Sequence, residues 1–136
     1  MRILAIDYGE RRTGLAVSDE LGITAQGLET LVADSVEEIP GKVAGIVGEF
    51  GVGKIVVGLP LNMNGSESEM SEKVRAFGEI LRELTGAPVI LWDERMTSMQ
   101  AERVMREIGE KTRGNKESVD RISATLMLQE FLKTQV

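Results

Sequence analysis

Cysteine and histidine are both absent from the 136 residues. Without cysteine there is no disulfide framework, no thiolate zinc site and no thiol nucleophile. Without histidine, imidazole is excluded as base or ligand. Any chemistry must therefore run on carboxylates, amines, hydroxyls or a bound metal. Aromatic residues are scarce at 4%, which leaves no evident base-stacking surface and favours recognition of a nucleic acid through backbone or shape. No apolar run approaches the ~20 residues of a membrane-spanning helix, and no basic region followed by an apolar segment reads as a leader. The expectation is a soluble, cytoplasmic protein with no membrane partner. A formal net charge of -6 and a pI near 4.8 argue against unspecific attraction to a polyanion. Local basic patches, or cations held by carboxylates, reverse such a field locally.

The length suits one domain, 1–136, with a core that needs neither disulfides nor structural metal. Its organising stretch is RILAIDYGERRTGLAVSDE, residues 2–20. The branched, alternating run up to Asp7 reads as a core strand. Gly9 permits a tight turn and 14–18 resumes the extended pattern, so the chain doubles back as a hairpin. Asp7 is left at the lip of a sheet, where a charge is costly unless paired or bound to a cation; the alternative is an Asp capping its own turn. Residues 23–31 read as a third antiparallel strand interrupted at Gly27.

From there strands alternate with helices. Ser35 and Glu38 have capping-box spacing ahead of the helical stripe Val43, Ile46, Val47 and Phe50, and Gly51 stands at its stop. Residues 54–60 form a continuous apolar run expected of a central strand covered on both faces. The polar stretch LNMNGSES, 61–68, is the loop leaving its carboxyl end. Met70, Val74, Phe77, Leu81 and Leu84 recur at helical spacing, with Met70 and Phe77 assigned to the core, and Gly86 and Pro88 close that helix. Residues 89–92 are another strand, running into Asp93-Glu94-Arg95. Thr97 with Gln100 caps a helix whose buried stripe is Ala101, Val104, Met105 and Ile108. The charged run 110–117 carries Lys111, Arg113 and Lys116, read either as phosphate contacts or as solvated surface. A last helix, about 118–132, places Asp120 on the same face as Ala124, Met127, Leu128 and Phe131, so this acid points inward.

Asp7 and Glu94 at strand ends and Asp120 on an inward helix face make a set of oxygen ligands. With neither His nor Cys, such a set suits Mg²⁺ or Mn²⁺ rather than Zn²⁺. Phosphodiester hydrolysis needs an activated water, a stabilised leaving oxygen and neutralised phosphate charge, which paired metal ions provide. Asp93 is the rival of Glu94: alternation puts Asp93 on the face of Leu91 and Glu94 on that of Trp92, and either face could meet Asp7. Arg95 is read as orienting an acid or gripping a phosphate, against a surface ion pair. Arg11 and Arg12 are read as phosphate contacts, against solvated turn residues.

Four segments, IDYGERRTGLAVSD, VVGLPLNMNGSES, DERMTS and KESVDRISATLMLQEFL, together resemble the YqgF family, also called RuvX, over nearly the whole chain. The resemblance implies a ribonuclease H-like α/β fold, a five-stranded mixed sheet of three antiparallel and two parallel strands flanked by helices. It implies a metal-dependent nuclease that processes the 5′ end of pre-16S ribosomal RNA, with structured RNA and ribosomal particles as partners. By the same resemblance Asp7, Glu94 and Asp120 are the catalytic, metal-binding acids, and Asn62, Asn64 and Gly65 belong to a loop signature that positions substrate or water. Asn64 stands where many relatives carry Asp. The alternatives are a nuclease acting on branched DNA such as a Holliday junction, and a noncatalytic nucleic-acid or ribosome-assembly binding module. A phosphotransferase of the actin and sugar-kinase type, suggested by the Asp-x-Gly turn, would need a second domain that a chain of this length lacks. The oligomeric state stays open between monomer and homodimer.

Overall fold

In a computed structural model, which describes residues 1–96, 107 and 116–135, the N-terminal run forms β1 (Arg2–Asp7) and β2 (Arg12–Ser18). They pair antiparallel, with Asp7 opposite Gly14. The turn between them is closed by Thr13, fully buried, whose hydroxyl donates to the Gly9 carbonyl at 3.0 Å. A Cβ at Gly9 would lie 2.1 Å from the Arg12 carbonyl oxygen, so close approach is what demands glycine there.

The expected third strand is split in two: β3 (Ala25–Gly27) and β4 (Leu31–Val32) both pair with β2. From Ala16↔Gly27 to Thr13↔Leu31 β2 advances three residues and its partner four, so one extra residue bulges out. Ile23, expected in the strand, precedes it and is exposed; its backbone N–H and that of Thr24 are held by the Asp19 carboxylate at 2.6 and 3.0 Å. Counting β3 and β4 as one strand position, three antiparallel positions adjoin two parallel strands, β5 (Val52–Leu59) and β6 (Val89–Asp93), in the order β3-β2-β1-β5-β6. This is the mixed sheet expected.

Helices α1 (Ile39–Phe50) and α2 (Glu69–Thr85) cover one face, and α3 (Lys116–Lys133) packs across β1, β2 and β3 on the other. The strand alternation sorts cleanly between them. Leu4, Ile6, Val57, Val89 and Leu91 join Val43, Val47, Val74, Phe77 and Leu81 in the first core, whereas Ile3, Ala5, Val56, Ile90 and Trp92 join Ala124, Met127, Leu128 and Phe131 in the second. Gly51 (φ 63°) and Gly86 (φ 71°) end α1 and α2 in the left-handed region, where only glycine is comfortable.

Two expectations along these helices are corrected. Ser35 makes no side-chain cap; Glu38 reaches back instead to the Asp34 N–H at 3.2 Å, because a short 3-10 turn (Val36–Glu38) precedes α1 and Pro40 sets its first turn. The capping box that does form, Ser68 with Ser71, heads α2. Leu84 is 55% exposed: it shares the helical spacing of Phe77 and Leu81 but stands on the last turn of α2, where no other element among the described residues covers it. Met70 is half-buried against the first core. Phe77, though buried, also walls a surface groove of about 500 Å³ with Tyr8, its ring centroid 4.5 Å away. The helix expected after Thr97 lies outside the described residues, and among those described no helix is long and apolar enough to cross a membrane.

Leu128, fully buried on α3, and Leu84 separate core from surface. Leu128→Ala should cost about 2–5 kcal/mol and Leu84→Ala within about 0.5 kcal/mol, measured by urea unfolding.

Candidate active site

The face of the sheet under α3 gathers three carboxylates at the carboxyl end of β1. Asp7 follows Ile3 and Ala5 on that face. Burial pushes its pKa up; a hydrogen bond from the Ser123 hydroxyl works the other way, and the negative charge of Asp120 raises it further. Glu94, in the 3-10 turn Glu94–Met96 directly after β6, continues the face of Trp92. Its carboxyl sits over β5, where a Cβ at Gly58 would be 2.5 Å from Oε1. Burial first, then the charges of Asp7 and Asp93, push its pKa up to about 7. Asp120, on the second turn of α3, is half-buried, and its Oδ2 accepts from Arg12 Nε at 3.3 Å.

Asp93 takes a different path. Its carboxylate accepts from the Arg95 backbone N–H at 2.9 Å and is forked by the guanidinium at 2.7–3.1 Å. The Arg95 hydrogen bonds hold its pKa below the usual carboxylate range. Glu94, not Asp93, is thus the acid in electrostatic contact with Asp7. The same guanidinium donates to the Met63 carbonyl at 3.2 Å and lies over Gly65 (φ 87°), pinning the 61–68 loop to the end of β6. Within that loop the Asn62 amide donates to Ser66 Oγ and the Glu67 carbonyl, and Asn64 Oδ1 accepts from the Ser66 N–H and hydroxyl. Both side chains are engaged in building the loop. Arg12 belongs to β2 rather than the turn and is turned to Asp120, whereas Arg11 is exposed. Lys111, Arg113 and the side chain of Lys116 lie outside the described residues.

The donor set fits a hard divalent cation in its chemistry: only carboxylate oxygens, with the charge of Asp120 raising the pKa of Asp7 and that of Asp7 raising the pKa of Glu94, a repulsion that a cation would relieve. It is not a ready-made cage, because among the described residues no three acids converge closely enough to hold one ion, and Asp120 is engaged with Arg12. Three contributors escaped sequence reasoning. Ser123 stands one helical turn beyond Asp120, a spacing that could have flagged it. Gly14 and Gly58 interrupt otherwise apolar strands, the usual mark of a close backbone approach.

The described architecture is a mixed α/β sheet with acids at the carboxyl end of its first strand. It matches RuvC of T. thermophilus in complex with Holliday junction substrate at a TM-score of 0.64 and 19% identity, covering 98% of this chain and 96% of that one. The fowlpox virus Holliday junction resolvase matches at a TM-score of 0.59 and 12% identity, over the whole of both chains. These likenesses establish the fold, that of the ribonuclease H-like resolvases. The sequence profile of RuvX, described as Holliday junction resolvase, matches residues 1–134, so the chain belongs to the RuvX family. Relatives named "Putative pre-16S rRNA nuclease" include those of Koribacter versatilis, 47% identical over 97% of this chain and 86% of its own length, and Halothermothrix orenii, 40% identical over 99% and 96%.

The raised pKa of Glu94 sets a pH dependence. An acid whose folded pKa lies above its unfolded value binds its proton more tightly when folded, so folding stability falls as pH rises from about 4.5 through about 7. In EDTA the wild type should therefore lose up to roughly 3 kcal/mol across that window, less what solvent screening removes. Glu94→Gln should flatten the loss and melt higher than wild type at pH 8, read by thermal unfolding.

Proposed function

We propose that this chain is a metal-dependent nuclease hydrolysing phosphodiester bonds, acting on the 5′ end of pre-16S ribosomal RNA, with Asp7, Glu94 and Asp120 as its catalytic acids. The observation that carries the reading is the electrostatic contact of Asp7 with both Glu94 and Asp120 on one sheet face, in a chain whose relatives bear a nuclease name. Asp7, Glu94 and Asp120 would hold Mg²⁺ or Mn²⁺. When bound, the cation supplies charge neutralisation at the scissile phosphate and a water of lowered pKa.

The protein's own residues divide the remaining work. Ser123 orients the Asp7 carboxyl by its hydrogen bond. Glu94, whose pKa in the metal-free protein is pushed up to about 7 by burial and by the charges of Asp7 and Asp93, would give up its proton when the cation binds and serve as a carboxylate ligand. Arg12, beside Asp120, and exposed Arg11 bring positive charge to an acidic surface where a phosphate backbone must approach. Arg95 holds the 61–68 loop at the rim through Met63, and Asn62 and Asn64 give that loop its shape. Lys111, Arg113 and Lys116 would add phosphate contacts. The reading carries with it a cytoplasmic location and work on or near ribosomal particles, as a monomer or homodimer.

A second reading, cleavage of branched DNA, is favoured by the description of the family itself. Pure protein would be incubated with a pre-16S leader RNA, a single-stranded DNA and a four-way junction, each with Mg²⁺, Mn²⁺ or EDTA. Cleavage of the leader RNA with metal, abolished by EDTA, is expected; preference for the junction would select the second reading, and no cleavage of any would reject both. Asp7→Asn and Asp120→Asn should each lower cleavage by roughly 10²-fold or more with the fold retained by circular dichroism.

A further inference from the structure

Two glycines flank Asp7 across the sheet. Gly14 is directly opposite it on β2. On the other side Ile6 pairs with Val57, so Gly58 stands one step on along β5, beside Asp7, and is itself paired with Trp92 of β6. Both open toward α3, and each gap is filled by one of the other acids. A Cβ at Gly14 would lie 2.2 Å from the Asp120 carbonyl oxygen and 2.8 Å from its carbonyl carbon. A Cβ at Gly58 would lie 2.5 Å from Glu94 Oε1, 2.9 Å from Met127 Sδ and 3.2 Å from Glu94 Cγ. A β-strand interior disfavours glycine, which has no side chain to pack and the most backbone entropy to lose. Here the missing side chains make the two slots through which a helix backbone and a carboxylate reach Asp7.

We infer that Gly58 and Gly14 are positioning residues: Gly58 seats the Glu94 carboxylate against Asp7, and Gly14 lets α3 descend far enough to place Asp120 beside it. The inference rests on the nuclease reading for its functional consequence, but the seat itself is a matter of packing. At Gly14 the obstructing atoms are backbone, so a methyl there must push the helix away as a body. At Gly58 they are the far ends of two flexible side chains, so a methyl displaces Glu94 and Met127 without breaking the strand. Gly58→Ala is therefore the informative variant, and the fold should survive it.

The test is a double-mutant cycle between Gly58→Ala and Glu94→Asp, whose acid is shorter by one methylene and clears the added methyl. Mn²⁺ binding to the nucleic-acid-free protein is measured by calorimetry, and turnover on whichever nucleic acid the wild type cleaves. Gly58→Ala alone should weaken Mn²⁺ binding and lower kcat roughly 10–100-fold, with KM changed less than about twofold because substrate binding is untouched. In the Glu94→Asp background the same glycine change should cost less than about threefold. An equal loss in both backgrounds overturns the inference. So does recovery of Gly58→Ala by Met127→Ala and not by Glu94→Asp, which would mean that the glycine serves helix packing alone. The cycle read by thermal unfolding in EDTA needs neither metal nor substrate. There the two changes must be non-additive in Tm, and additive shifts reject the seat. A wild type that shows this coupling yet cleaves no nucleic acid would reject the nuclease reading and leave the seat standing.

Discussion

Asp7 is held under α3 with a second carboxylate on either side of it, and the rest of the structure is arranged around that repulsion. A buried acid in contact with Glu94 and Asp120 is costly in the metal-free protein. The fold holds the acids there largely by chain connectivity and packing, helped by the Ser123 hydrogen bond to Asp7 and the Arg12 pair with Asp120. β1 carries Asp7 out of the centre of the sheet, β6 delivers Glu94 one residue past its last ladder pair, and the second turn of α3 brings Asp120 down over β2. The backbones that carry the acids are anchored by core residues of β1, β6 and α3.

Two arginines moderate the arrangement in different ways. Arg12 reaches Asp120 from β2 and offsets part of the negative charge at the edge of the cluster. Arg95 takes Asp93 out of competition by forking it, and in the same stroke fastens the 61–68 loop through the Met63 carbonyl. A pair this exposed contributes little to stability by itself. Its value is geometric, because it fixes the turn from which Glu94 points inward. The two acids of the Asp-Glu-Arg run thus have opposite fates, one pKa lowered and one raised, although they are adjacent in the chain.

The opposite face has its own organisation. Tyr8 follows Asp7 immediately but points to the α1 and α2 side, where it stacks near Phe77 and walls a groove with Val36, Pro40 and Ile80. Glu10 and Glu37 stand on the rim of that groove, and Lys73 is paired with Glu10. The phosphate-facing chemistry proposed above therefore belongs to the α3 side, where Arg12 adjoins the acids.

Much of this was legible in the amino-acid sequence, because it depends on periodicity and on what is missing. The absence of His and Cys restricted the site to carboxylate oxygens. Alternation placed Asp7 at the end of a core strand and set Asp93 and Glu94 on opposite faces, and the 3.6-residue period turned Asp120 inward with Ala124 and Leu128. What alternation could not decide is which face meets a helix arriving from elsewhere in the chain: only the crossing of α3 on the Ile3, Ala5 and Trp92 side selects Glu94. The Arg12–Asp120 pair joins residues 108 positions apart and has no local signature. The bulge that splits the third strand, the surface position of Leu84, and the need for Gly14 and Gly58 likewise depend on atoms brought from other elements. Local pattern fixes a residue's face and its backbone preference; which neighbour fills the space in front of it is settled only when distant segments pack.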